Sequence, residues 1–491
     1  MVTKPTSLDA EPEGSDYGQY DFIVVSNRLP VDRVQEDDGG SSWRRSPGGL
    51  VTALAPVMAK TDGAWIGWPG SANEVLDPFD HDDMRLVPIP MSDDDVELYY
   101  EGFSNATLWP LYHDVIAPPE FHRTWWECYK RVNQRFADAT AKVAADGATV
   151  WVQDYQLQLV PKLLREQRPD LKIGFFNHIP FPPLEIFAQL PWRRQVIEGL
   201  LGADLLGFQR PSDSSNFLRC VRRFTGHPIK SQHVNIKSES GTRICRAGAF
   251  PISIDVAQIN ELANRPDVIE RARQIREELG NPKTVLLGVD RLDYTKGIGH
   301  RIKAYGELLE DGQVTVEDAA LIQVASPSRE RVESYRLLRE EIEASVGRIN
   351  GTYDTLSNTA IRYLHHSYPK EEMVALYLAA DVMLVTALRD GMNLVAKEYV
   401  ASRTGVNGAL VLSEFAGAAD HLKQALLVNP HDIDGLKDAV MRAINISPGE
   451  ATRRMRTMRR QVLQNDVEHW SQSFLRALQA EPGAEPEGEE R

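Results

Sequence analysis

Cysteine is scarce: three residues, at positions 128, 220 and 245, serve a chain of 491. Being odd in number and far apart, they argue against a disulfide framework and favour a reducing cytoplasm. Long apolar runs are missing too. None approaches the roughly 20 residues a membrane span needs, so no membrane partner is expected. The first seventeen residues are polar and acidic and lack the apolar core of a signal peptide, so secretion is not expected. Basic residues are outnumbered, 55 Lys and Arg against 70 Asp and Glu, for a net charge of −15. That balance argues against a nucleic-acid partner. Residues 1–18 and 481–491 are rich in Pro, Gly and Glu, and both are read as disordered acidic tails that aid solubility. Several signatures are absent as well. No G-x-G-x-x-G opens a helix after a strand, and no G-x-x-x-x-G-K-[ST] occurs, which sets aside a dinucleotide fingerprint and a P-loop. No G-x-S-x-G or Cys/His nucleophile pattern is found. His81 beside Asp82, and His365-His366, lack zinc spacing.

What remains is an average soluble composition, 42% hydrophobic and 25% charged, over a length that implies two or three domains. Short apolar runs alternate with helical patterns. Asp21–Ser26, Thr149–Gln153, Ile173–Asn177, Ala203–Phe208 and Ala249–Ile254 read as strands of a first unit, with a helix around Phe217–Arg223. Thr284–Val289, Ala320–Val324, Ile361–Leu364, Asp381–Thr386 and Ala409–Ser413 read as strands of a second. Such alternation implies parallel sheets, whose ligands bind beyond the carboxyl ends of the strands. Arg28, Asp154 and His178 fall there in the first unit, and Arg291 and Lys296 in the second. The aromatic segment from Tyr99 to Trp109 is read evenly as core or as a sugar-stacking surface. Leu463, Val467, Trp470, Phe474 and Leu478 recur at helical spacing, giving one amphipathic helix near the end. The expected organisation is residues 19–252 and 253–455 as two domains, then a helix over 456–480 crossing back to the first.

Arg389-Asp390-Gly391-Met392-Asn393-Leu394-Val395-Ala396-Lys397-Glu398 is the most informative stretch. It places a glycine where the strand Asp381–Thr386 hands over to a helix, so free N–H groups and a positive helix end would face a phosphate. Asp390 lies on the turn, and Glu398 is placed two turns into the helix. The two α/β halves point to a transferase of GT-B architecture: two Rossmann-like parallel-sheet domains facing each other across a cleft. An Asp-x-Asp metal motif would mark the rival design. Asp93-Asp94-Asp95 and Asp432-Ile433-Asp434 match in letters, but they are read as capped or solvated loops, and no metal is expected. Protein groups must then neutralise a leaving diphosphate. Charge-assisted hydrogen bonds from Arg291 and Lys296 contribute about 1.5–3 kcal/mol each and the helix end up to ~2. Together that is on the order of 5–8 kcal/mol, or roughly 10⁴- to 10⁶-fold if realised only in the transition state.

Several motifs in order then carry a family resemblance. Val25-Ser26-Asn27-Arg28, Gly48-Gly49-Leu50, Asn105 to Pro110, Asp154-Tyr155, His178 to Pro182, Arg291 to Gly297, Gly347 to Gly351 and Arg389 to Glu398 resemble the trehalose-6-phosphate synthases. The likeness runs from about Phe22 to about Leu478. It implies a GT-B retaining glucosyltransferase of family 20, needing no cofactor. Its reaction would join a nucleoside-diphosphate glucose to glucose 6-phosphate and give α,α-trehalose 6-phosphate. It also implies roles. Gly48, Gly49, Arg291, Lys296, Tyr368, Asn393, Leu394, Val395, Ala396 and Glu398 would bind the donor, Glu398 through the ribose. Asp390 and His178 would grip the transferring glucose, and with Arg291 and Lys296 they form the expected catalytic set. Arg28, Tyr100, Trp109, Asp154 and Arg329 would form the acceptor site, the two arginines on its phosphate. A homo-oligomer is expected.

Some positions depart from that family's pattern. Gln153 and Gln156 flank Asp154-Tyr155 where histidine is common, and Asn177 precedes His178 where an apolar residue is usual. The His365–Tyr368 segment, which faces the nucleobase in relatives, is also unusual, so UDP-glucose and ADP-glucose stand as equal donors. A glucosylglycerol-phosphate synthase would differ only in its acceptor pocket. An inactive sugar-nucleotide sensor should lack one of Arg28, Asp154, Arg291, Lys296, Asp390 and Glu398, yet all are present.

Overall fold

A computed structural model describes residues 18–35, 40–46, 51, 54, 58, 61, 63–238 and 241–481. The chain divides into two compact units, one running to Pro251 and resuming at Ser471, the other spanning Ile252–Trp470.

The first unit holds β1 (Tyr20–Arg28), a hairpin of β2 (Val31–Gln35) and β3 (Ser41–Arg45), then β4 (Gly63–Trp68), β5 (Phe79–His81) and β6 (Met84–Pro88). Next come β7 (Ala144–Gln153), β8 (Lys172–Phe176), β9 (Leu205–Phe208), β10 (Ile229–Lys230), β11 (His233–Ser238) and β12 (Gly241–Ala249). Its main sheet runs β10-β11-β12-β9-β8-β7-β1-β4-β6-β5. The seven strands from β12 to β6 are parallel, while β5, β10 and β11 pair antiparallel at the two edges. Continuous apolar runs explain the central strands, because helices cover both faces of a parallel sheet. Ile23, Val24 and Val25 are fully buried, as are Val150, Trp151 and Val152. The strand order reverses between β1 and β7. Ligands favour the crevice at such a switch point, and there Arg28 ends one strand and Asp154 follows the other.

One expected strand is absent. The run Ala249–Ile254 stays extended only to Ala249, where β12 ends. Pro251 has no N–H to continue a ladder, and residues 250–255 form the passage into the second unit. Asp93–Asp95 is also not a loop. It is a short helical turn capped reciprocally by Ser92, and Asp95 is buried against Arg131 and Arg135 at 2.7 and 2.9 Å. Burial opposes ionisation of Asp95, but the two guanidiniums prevail and hold its pKa at about 2. Asp432 likewise caps a helix, Ile433–Ile444, by accepting from the Gly435 N–H.

The second unit contains β13 (Thr284–Arg291), β14 (Ala319–Ser326), β15 (Ile361–Leu364), β16 (Val382–Val385), β17 (Ala409–Ser413) and β18 (Leu426–Val428). All six are parallel in the order β15-β14-β13-β16-β17-β18. This is the doubly wound Rossmann order, with its switch point between β13 and β16. A buried ion pair ties that point together. The Arg301 guanidinium, 1% exposed, donates to Asp290 at 2.9 Å, to Gln323 at 2.8 Å and to the Thr386 hydroxyl. Gly288 makes room for it, since a β-carbon there would overlap the guanidinium.

The terminal helix also departs from expectation. Instead of one segment over 456–480 there are two, Pro448–Gln464 and Val467–Gln479. Asp466 breaks them apart by accepting from the His469 N–H at 2.9 Å. Leu463, read as part of the buried stripe, is 45% exposed, whereas Val467, Trp470, Phe474 and Leu478 are buried. In the first unit Phe474 stacks on Trp151 at 4.6 Å.

Candidate active site

In the second unit the chemistry gathers at the switch point. Asp293, beyond β13, caps the turn Tyr294–Lys296 by accepting from Thr295 N–H and hydroxyl at 2.9 Å each. Gly297 then closes the turn at φ 62°, where a β-carbon would overlap the Thr386 carbonyl. That left-handed, close-packed position is open to glycine alone. The turn delivers the Lys296 ammonium to Asp390, 2.6 Å away, with the two side chains only 11% and 13% exposed.

Asp390 sits on the loop after β16. Its backbone bridges to Ala416, and its carbonyl accepts from Gly417 N–H at 3.1 Å. The helix that follows is Leu394–Ser402, and its cap is Asn393, at φ 76°. The expected helix end at Gly391 therefore lies two residues earlier than the true cap. Asn393 Oδ1 accepts from Ala396 N–H at 3.0 Å, and its Nδ2 donates to Asp390 at 3.2 Å. The Ala396 N–H, expected to meet a phosphate, is thus already satisfied by the cap. Leu394 and Val395 are the first-turn residues whose N–H groups have no acceptor within the helix.

Glu398 lies one turn into this helix rather than two. It accepts from the Tyr377 hydroxyl at 2.7 Å, and burial raises its pKa. Lys397 beside it is 2% exposed and donates to the Ile252 carbonyl at 2.7 Å. Arg291, at the end of β13, is exposed. Arg329 stands at φ 49°, with its guanidinium 3.3 Å from the buried Asp293 and against Tyr335. Tyr368 packs edge-on against His366 at 5.0 Å. The structure thus brings Lys296, Asp390 and Asn393 into direct contact, and gives Arg329 and Glu398 separate partners. Gly48 and Gly49 lie outside the described residues.

The first unit carries a second group. Arg28 lies with its guanidinium 5.0 Å above the Trp68 ring and 2.9 Å from Asp32. Tyr100 also lies against Trp68, at 6.0 Å between rings. Trp109 is buried between His113 and Tyr155, at 4.1 and 5.7 Å. The aromatic segment is therefore mostly core: Tyr99 and Phe103 are fully buried, and Tyr100 alone of the three is partly open.

Asp154 takes φ 72° and ψ 171°, unusual for a residue with a β-carbon. Its carboxylate accepts the His178 N–H at 3.0 Å. The His178 ring meets Gln153 Oε1 through Nε2 at 2.9 Å. An amide oxygen can only accept, so this contact assigns the imidazole proton to Nε2. Burial lowers the His178 pKa to about 3, which keeps the ring neutral at physiological pH. Gln153, Tyr377 and Asp293 were not among the expected site residues. Gln153 carried a signal, standing next to Asp154 at a strand end. Asp293 has a local partner in Thr295, while Tyr377, and Asp293 toward Arg329 and Tyr335, acquire partners only through the fold.

The model of glycosyltransferase family 20 matches residues 20–480. The chain belongs to that family, among the trehalose-6-phosphate synthases. A trehalose-6-phosphate synthase from Mycobacterium avium is 58% identical over 476 residues, covering 95% of this chain and 96% of that protein. A solved structure from E. coli bound with UDP-2-fluoro glucose superposes with a TM-score of 0.85 at 35% identity, covering 94% and 99% of the two chains. The UDP-forming α,α-trehalose-phosphate synthase from Burkholderia xenovorans, in complex with glucose-6-phosphate, gives the same TM-score and identity over 94% and 100%. The two sheet units of this family 20 enzyme are those of the GT-B fold. Among the described residues, no helix is long and apolar enough to cross a membrane.

Proposed function

We propose that this enzyme transfers glucose from a nucleoside-diphosphate glucose to the anomeric hydroxyl of glucose 6-phosphate, giving α,α-trehalose 6-phosphate with retention at the transferred carbon. The observation that carries the reading is the 2.6 Å Lys296–Asp390 pair beside the Asn393-capped helix, at the switch point of the second sheet. The ligands bound by the E. coli and Burkholderia relatives, a UDP-glucose analogue and glucose 6-phosphate, support it.

Without ligand, Lys296 neutralises Asp390. An incoming diphosphate offers the ammonium a more highly charged partner. Lys296 then turns to the phosphate together with Arg291 and the N–H groups of Leu394 and Val395. Asp390 is released to accept hydrogen bonds from the glucose hydroxyls. Glu398 meets the ribose, and Tyr368 lies toward the base. In the first unit Arg28 holds the acceptor phosphate, while Tyr100, Trp109 and Asp154 hold its sugar.

In the reaction the bond from the anomeric carbon to the diphosphate oxygen breaks, and a bond to the acceptor's anomeric oxygen forms on the same face. The acceptor's proton passes to the departing phosphate oxygen. Asp390 positions the sugar and does not attack it, and protein cations take the leaving charge without a metal. Three buried free cysteines, each pushed up to a pKa of about 12 by burial, suit a cytoplasmic setting. The test is kcat/KM for UDP-glucose and ADP-glucose against glucose 6-phosphate and glycerol 3-phosphate. The reading expects turnover with glucose 6-phosphate for at least one donor. Preference for glycerol 3-phosphate overturns it, and the donor ratio decides which base the pocket selects.

A further inference from the structure

Three locally unfavourable arrangements meet beside Asp154. Val96–Leu108 is a π-helix of 13 residues, a winding that seldom extends past one turn and is frequent at functional sites. Asn105, near its end, is 1% exposed, and its Nδ2 has no hydrogen-bond partner among the described residues. Asp154 holds its positive φ. Each costs free energy that ordinary packing would avoid.

Tyr155 connects them. Its hydroxyl donates to Asn105 Oδ1 at 2.8 Å, and its carbonyl accepts from the Tyr129 hydroxyl at 2.8 Å. Its ring lies 5.7 Å from Trp109, and its peptide follows Asp154 directly. A leucine at 105 would spare the unmet donor but remove the oxygen that fixes Tyr155. The i→i+5 winding contributes too, because positions 100, 105 and 109 recur about once per turn of it. The π-helix thereby presents Tyr100 and Asn105 in register, and Trp109 opens the short α-helix Trp109–Tyr112 that continues it.

We propose that Asn105 is a positioning residue for the acceptor sugar. Through the Tyr155 hydroxyl it fixes the backbone at Asp154, and so aims a carboxylate that also holds the His178 N–H. This inference rests on the reading of Asp154 as an acceptor contact.

The test compares Asn105→Leu, Tyr155→Phe, the double variant and Asp154→Asn. Each is measured for KM toward glucose 6-phosphate, KM toward the nucleotide sugar, kcat and unfolding midpoint. Each single change at 105 or 155 is expected to raise the acceptor KM about tenfold, the worth of one hydrogen bond. The donor KM should stay constant, and the double variant should not exceed the larger single effect. Tyr155→Phe removes only a hydroxyl, so it decides the matter if Asn105→Leu fails to fold. An unchanged acceptor KM in Tyr155→Phe, a parallel rise in both KM values, or additive effects in the double variant overturns the inference. If Asp154→Asn also leaves the acceptor KM unchanged, it is the acceptor reading itself that fails.

Discussion

At the residue scale, Lys296 and Asp390 divide the labour most clearly. Lys296→Met should weaken binding of the nucleoside diphosphate about 10- to 100-fold, the worth of a charge-assisted hydrogen bond. Asp390→Asn frees the ammonium, so it should bind the nucleotide at least as tightly while kcat falls. Calorimetric titration with the nucleotide, beside steady-state rates, separates the two, and equal loss of affinity in both variants would contradict the exchange of partners. His178 makes a second case. Its pKa, lowered to about 3 by burial, leaves the ring neutral down to mild acid. NMR titration of that ring should show no protonation between about pH 5 and 8, whereas a step near the ordinary value of about 6.5 contradicts the burial argument. Asp390, Lys296 and His178 were legible in the chain because each stands within a few residues of a strand end. Their partners were less so. Asn393 could be read as a helix cap, but that it also bridges to Asp390 depends on a loop pinned by Ala416 and Gly417, more than twenty residues later.

At the scale of elements, the helix Leu394–Ser402 carries the Asn393-capped turn at one end and a buried lysine within. Burial lowers the Lys397 pKa to about 7, against about 10.4 in an unfolded chain. Between those values the unfolded chain holds the extra proton, so stability is lost as pH falls from about 10 to about 7. Lys397→Met should remove that slope. Unfolding midpoints of the two proteins across this range check it, and parallel slopes contradict it. The sequence pattern showed this helix by its apolar residues but gave no sign that Lys397 points inward. Period and propensity are silent about which charged side chain a neighbouring segment will cover, here the Ile252 carbonyl. The same limit explains the terminal helix. Spacing alone joined Leu463 to the stripe of Val467 and Trp470, while the cap at Asp466 divided them.

At the scale of the whole molecule, the two parallel sheets were readable because their strands are short apolar runs ending in polar loops. The reading failed at residues 249–254, where an equally apolar run is interrupted by a proline and becomes a connection. The order of the second sheet, with β13 and β16 side by side, is what unites Lys296 and Asp390 across 94 residues of sequence. Local signals placed both at strand ends but could not make those strands neighbours. The enzyme is proposed to build a 1,1-linked disaccharide phosphate with the transferred glucose keeping its configuration. NMR analysis of the product formed from a nucleoside-diphosphate glucose and glucose 6-phosphate tests it most directly. The expected products are α,α-trehalose 6-phosphate and the nucleoside diphosphate. A β-linked product, or a glucosyl group trapped on Asp390, would contradict it.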